Sequence, residues 1–130
     1  MDVIYAYTRA QALSDGVLID VTETAKEAGI CYPTAVTCAV WQEYVRVPEK
    51  VPWQDERGRL WDVLWMLKMA VGLLPKDRPH DVMLYRLCVQ NDESEPKEVT
   101  LKAVCGPGDH FEPVVTIMLP DEGASCHDAD

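Results

Sequence analysis

The sequence predicts an α+β domain, with N-terminal helices and a central tryptophan-rich helix packed on a C-terminal antiparallel three-stranded meander. Three observations predict it. Helix-capping patterns recur in the first third of the chain, at Thr8 with Gln11 and at Asp20 with Glu23. The segment 53–72 then holds three of the four tryptophans, in a polar turn that runs into a nearly all-apolar helical pattern. Beyond Pro79, three strand-length apolar runs alternate with polar or Gly/Pro connections. Helices first and strands last lack the βαβ alternation of a dinucleotide- or phosphate-binding sheet.

Val3–Tyr7 reads as a short strand or an ordered arm. Thr8 and Gln11 form a capping box, which starts a short helix at Arg9 and leaves Gly16 to stop it near Asp15. Val17-Leu-Ile19 is a brief extended piece. Asp20 and Glu23 cap a second helix through Ala25 and Ala28, closed by Gly29. Pro33 suits a first helical position, where its missing N–H costs nothing, so the next helix is expected to reach about Val45. Its inner face would be Val36, Ala39 and Val40, with Trp41 and Tyr44 adjoining. Val47 to Trp53, carrying Pro48 and Pro52, reads as a surface connection.

Asp55-Glu-Arg-Gly58 is a turn signature. After it, Leu60, Leu64, Leu67 and Val71 recur at helical spacing, and Trp61, Trp65, Met66 and Met69 fill the flanks. A helix apolar over most of its circumference is expected to be covered on several sides. The strands are Val82–Val89, Val99–Val104 and Val114–Leu119, and an antiparallel meander is the economical way to join them.

At 130 residues the chain suits one domain, placed at 1–120, with 121–130 an acidic tail too polar to pack. The formal net charge is -10, of which segment 90–98 and the tail supply -7. No basic stripe is present, so direct binding to a nucleic-acid backbone is not expected. Five cysteines, odd in number and without a C-x-x-C pair, point to free thiols and a cytoplasmic location, as does a Met-Asp-Val-Ile start unlike a signal peptide. The run Val63–Leu74 is broken by Lys68 and is shorter than the roughly 18–20 residues of a membrane span, so no membrane association is expected.

The main candidate site is Gln54, Asp55, Glu56, Arg57, Arg59 and Asp62. Carboxylates beside guanidinium groups can position a polar ligand, or serve acid/base chemistry if one carboxyl is buried. The plainer reading is a turn and a helix start, with Asp55 bonding the turn and Asp62 near the positive helix end. Cys105-Gly-Pro-Gly-Asp-His110 puts thiol, carboxylate and imidazole close together, with Asp109 and His110 the polar members. A structural metal needs about four convergent ligands, and the simpler reading is a turn between strands. His80-Asp81 and Cys126-His127 are weaker pairs. No G-x-S-x-G elbow or Walker pattern occurs, and no metal or other cofactor is called for. Trp41, Tyr44, Trp53 and Tyr32 lie near helix ends or loops, where large amphipathic rings serve as interface anchors. For Trp41 and Trp53, covering the core is the competing role.

Tyr7–Val21, Gly58-Arg-Leu-Trp-Asp-Val-Leu-Trp65 and Gly106-Pro-Gly-Asp109 with Val114–Pro120 resemble a family of small uncharacterised bacterial proteins encoded on plasmids and integrative mobile elements. The resemblance spans about residues 4–120 and implies an accessory role in that setting, with no catalytic residue assigned. The chain is therefore expected to act by binding a protein, with Gln54, Asp55, Arg57, Arg59, Asp62, Trp53, Trp41, Asp109 and His110 as candidate contacts. A second copy, forming a homodimer, is another possible partner. The alternatives are a small enzyme using the polar cluster at 54–62 and an acidic DNA-mimic type of inhibitor.

Overall fold

The computed structural model describes residues 8–73 and 81–122. Helix α1 (Arg9–Asp15) is closed by the expected capping box, with the Gln11 amide donating to Thr8 Oγ1 at 3.0 Å and the Thr8 amide to Gln11 Oε1 at 2.9 Å. Gly16 ends it in the left-handed region at φ 80°. Strand β1 (Leu18–Asp20), helix α2 (Thr22–Glu27) and strand β2 (Thr34–Thr37) follow, then helix α3 (Cys38–Val40), which widens into a π-helical turn over Trp41–Val45. Helix α4 (Glu56–Gly72) precedes strands β3 (Val82–Val89), β4 (Lys97–Pro107) and β5 (Pro113–Met118). Val3–Tyr7, His80, the 75–79 linker, and Cys126 and His127 of the tail lie outside the described residues.

The α+β class holds, but the sheet has five strands in the order β1-β2-β5-β4-β3 and is not a three-stranded meander. β3, β4 and β5 are antiparallel as expected; β2 adds to β5 in parallel, and β1 pairs antiparallel with β2. The helix expected from Pro33 is therefore corrected: its first residues are strand β2. Every residue of Thr34-Ala-Val-Thr37 is buried, so the strand shows no alternation of apolar and polar positions that would announce it. Its threonines are satisfied locally, Thr34 Oγ1 donating to the Tyr32 carbonyl at 2.8 Å and Thr37 Oγ1 to Glu122 Oε1 at 2.8 Å. Thr37 also accepts from the Val40 amide and so caps the helix, which starts at Cys38, five residues after Pro33.

The main core lies between one sheet face and α2, the π-helical turn and α4, around Val36, Val40, Val45, Val63, Leu64, Leu101 and Ile117. α1 covers part of the opposite face, where Arg9 Nη1 donates to Thr116 Oγ1 at 2.7 Å. α4 turns Leu60, Val63, Leu64 and Leu67 inward. Among the described residues its other side is not covered as expected, since Trp65, Met66 and Met69 stay exposed. No helix among the described residues is long and apolar enough to cross a membrane.

Tyr85 of β3 is buried, and its hydroxyl donates to the Val63 carbonyl of α4 at 3.0 Å. Burial pushes the phenol pKa far up, so the ring stays neutral wherever the protein is folded. Tyr85→Phe is expected to cost about 1 kcal/mol in urea unfolding, the usual net worth of one such bond.

Candidate functional site

The candidate site is an open cleft of about 830 Å³ between the start of α4 and the C-terminal end of β3. Asp55 builds its helix side by accepting the Gly58 amide at 2.9 Å as N-cap. An added Cβ at Gly58 would stand 2.6 Å from Asp55 Oδ1, so a larger residue here would displace the capping carboxylate. The preceding loop is anchored by fully buried Val51, which holds Trp53 and Gln54 at the rim.

Arg59 forms the floor. It is 6% exposed, and its guanidinium donates to Gln54 Oε1 at 2.7 Å, the Gln90 carbonyl at 2.9 Å and Asn91 Oδ1 at 2.5 Å. Asn91 Nδ2 in turn donates to the Glu43 carbonyl at 3.0 Å. One buried cation thus ties α4, the β3–β4 connection and the π-helical turn together, and that turn brings Tyr44 to the cleft. Desolvation lowers the Arg59 pKa, as does Arg46, while Asp62 opposes them. The acceptors are all neutral, so the charge keeps its nearest compensation in Asp62.

Among the described residues the other members of the cluster are engaged except Glu56 and Asp62, and Glu56 does not line the cleft. Arg57 pairs with Glu27 of α2 at 2.9 Å, Asp55 is the cap, and Gln54 bonds Arg59 and Gln90. Asp62 is exposed, lines the cleft, and accepts no hydrogen bond among the described residues. Burial raises its pKa against the opposing pull of Arg59. Tyr44, Trp53 and Trp61 line the same cleft; Trp53 is 64% exposed, and Trp61 stacks on Trp65 at 5.7 Å between ring centroids. Trp41 packs against the core instead. Trp53 does not share that core-covering role.

Asp109 and His110 do not join this site. They lie in the β4–β5 turn, whereas the cleft is at the β3–β4 end, and the eleven residues of β4 separate the two. At about 3.3 Å per residue that is roughly 30 Å or more. Asp109 accepts the Arg9 and Ala10 amides at 2.8 and 3.0 Å, capping α1 from a hundred residues away, and these bonds lower its pKa. His110 donates its own amide to Glu112 Oε1. The turn itself is 108–112, since Gly106 and Pro107 are still paired in strand. Among the described residues no group of three or more His, Cys, Asp or Glu side chains could hold a metal ion. The sequence reading missed Gln90, Asn91 and Cys88, which bound or support the cleft; only the polar Gln-Asn pair ending β3 hinted at a turn there.

Asp62 gives a signed pH prediction. A carboxyl whose folded pKa is raised binds more protons when folded than unfolded, so it contributes stability at low pH that is lost as pH rises through its folded pKa. The stability of Asp62→Asn relative to the unaltered chain is therefore expected to grow as pH rises above the ordinary aspartate value of about 3.9. Urea unfolding at a series of pH values checks it; a flat difference would mean that the carboxylate is not desolvated.

No curated protein and no solved structure matches the chain. The model described as "Family of unknown function (DUF6573)" matches residues 1–123, nearly the whole length, and the chain belongs to that family.

Proposed function

We propose that the protein acts by binding another protein at the cleft between α4 and β3. The observation that carries this reading is an exposed Trp53 lining one cleft with Asp62, which accepts no hydrogen bond among the described residues, above a floor held by Arg59. Exposed tryptophan is costly to leave in water and is enriched among residues that dominate binding energy. An exposed carboxylate with no donor among the described residues is open to a charge-assisted bond from a partner. A floor fixed by three hydrogen bonds lets the partner bind without first ordering the site. The enzyme alternative has less support, because Asp109 and His110 lie at the other end of the sheet and bring no acid or base to Asp62. As a further part of this proposal, the partner belongs to a bacterial host or mobile element, a reading that rests on the resemblance alone.

Affinity capture from the native host with mass spectrometry tests it, using the full chain, Trp53→Ala and Asp62→Asn side by side. A protein retained by the unaltered chain and lost from both variants supports the reading. Equal retention by all three contradicts it.

A further inference from the structure

We propose that the outer edge of β3, unpaired among the described residues, takes an extended basic segment of the partner protein as a sixth strand, whose end enters the Trp53–Asp62 cleft. This rests on the reading of the cleft as a protein-binding site. β3 is the last strand of the sheet, eight residues long and in unbroken register with β4. The Cys105 amide donates to the Asp81 carbonyl at 2.7 Å, which fixes the alternation: odd-numbered residues turn their backbone groups towards β4. Val82, Leu84, Arg86 and Cys88 therefore present theirs outward. Among the described residues nothing pairs with that row.

Proteins usually blunt such an edge with proline, a bulge, several charges or a short strand. β3 has no proline, and its one charge, Arg86, lies 3.7 Å from Glu98. Val82 and Leu84 are 56% and 60% exposed on the sheet face away from α4. The edge also leads into the cleft, because Leu87, Cys88, Val89 and Gln90 line both. A strand added there would run its end towards Asp62.

Charge selects the occupant. In the cleft Arg57 and Arg59 balance Asp55 and Asp62, but at the same end of β3 Asp92, Glu93, Glu95 and Glu98 outnumber Lys97 and Arg86. A second copy would bring the same acids in a chain of net charge -10, whereas a basic segment is complementary. A side chain of lysine or arginine can satisfy Asp62 and lie against Trp53 and Tyr44, a pairing of cation with aromatic face that strengthens when desolvated.

The test uses the isotope-labelled full chain and a capped seven-residue peptide that alternates valine and threonine between two terminal arginines. A matching peptide with terminal glutamates is the control. On adding the arginine peptide, the amides of Val82, Leu84, Arg86 and Cys88 are expected to exchange about ten-fold more slowly or better, as newly bonded amides do. Leu84→Pro deletes an outward donor without touching the β4 ladder, as prolines on edge strands do, and should weaken binding about ten-fold; Leu84→Thr, which keeps the amide, should not. The glutamate peptide should bind more weakly than the arginine peptide. No binding at millimolar peptide, no protection of those four amides, self-association in place of peptide binding, or equal binding of the two peptides would overturn the proposal. If Leu84→Pro fails to fold, amide protection in the unaltered chain decides alone. If Trp53→Ala and Asp62→Asn abolish partner capture while Leu84→Pro does not, strand addition falls and the cleft reading stands; the reverse pattern removes the cleft reading.

Discussion

Arg59→Ala is expected to lower the unfolding free energy by about 3 kcal/mol, since hydrogen bonds from a charged donor are worth more than neutral ones and their acceptors would be left buried. The substitution removes donors from Gln54, the Gln90 carbonyl and Asn91 together. Some of the loss is offset, because a desolvated cation and its unpartnered Nε disappear as well. Arg59→Lys should recover less than half, as one ammonium cannot reach acceptors that diverge from a planar fork. Urea unfolding measures both. A loss below about 1 kcal/mol for the alanine variant would mean that the cleft floor is not held by this residue.

Leu64→Ala is expected to cost about 3 kcal/mol, within the usual range for a leucine that leaves a cavity. Leu64 is fully buried at the centre of α4, in the core with Leu101 and Ile117. Met66→Ala, two residues on and 38% exposed, should stay within about 0.5 kcal/mol. The contrast in denaturant midpoints checks the rotation of α4 about its axis, and with it the face that Asp62 presents. Comparable losses at both positions would place Met66 against a cover and revise that face.

What the sequence reveals about this fold is what is encoded over short distances. The Thr8–Gln11 box and Gly16 set α1 from within ten residues, and Asp55-Glu-Arg-Gly58 carries both the turn and its cap. β2 escapes because its residues are buried on both faces, so Thr34 and Thr37 give no polar rhythm; their hydroxyls are satisfied by Tyr32 and Glu122. Pro33 then looks like a helix start when it precedes a strand. The pairing of β2 with β5 joins residues about eighty apart, and no local pattern reports it.

The site divides in the same way. Residues 53–62 announce themselves as a charged turn feeding an apolar helix, and Asp62 and Trp53 are where that pattern places them. The sequence does not show that Arg59 is claimed by Gln90 and Asn91, or Arg57 by Glu27, since those partners come from other elements. Nor does it show that Asp109 serves α1. Once these pairings are counted, Glu56 and Asp62 are left without a hydrogen bond or ion pair among the described residues, and of the two only Asp62 lines the cleft.

Direct titration of the captured partner against the folded full chain tests that conclusion most closely. Trp53→Ala and Asp62→Asn should each weaken binding by about ten-fold or more, roughly 1.4 kcal/mol, while Met69→Ala, about two turns further along α4 and outside the cleft lining, leaves it unchanged. Affinities equal across all four proteins, or a loss confined to Met69→Ala, would contradict the assignment of binding to the cleft.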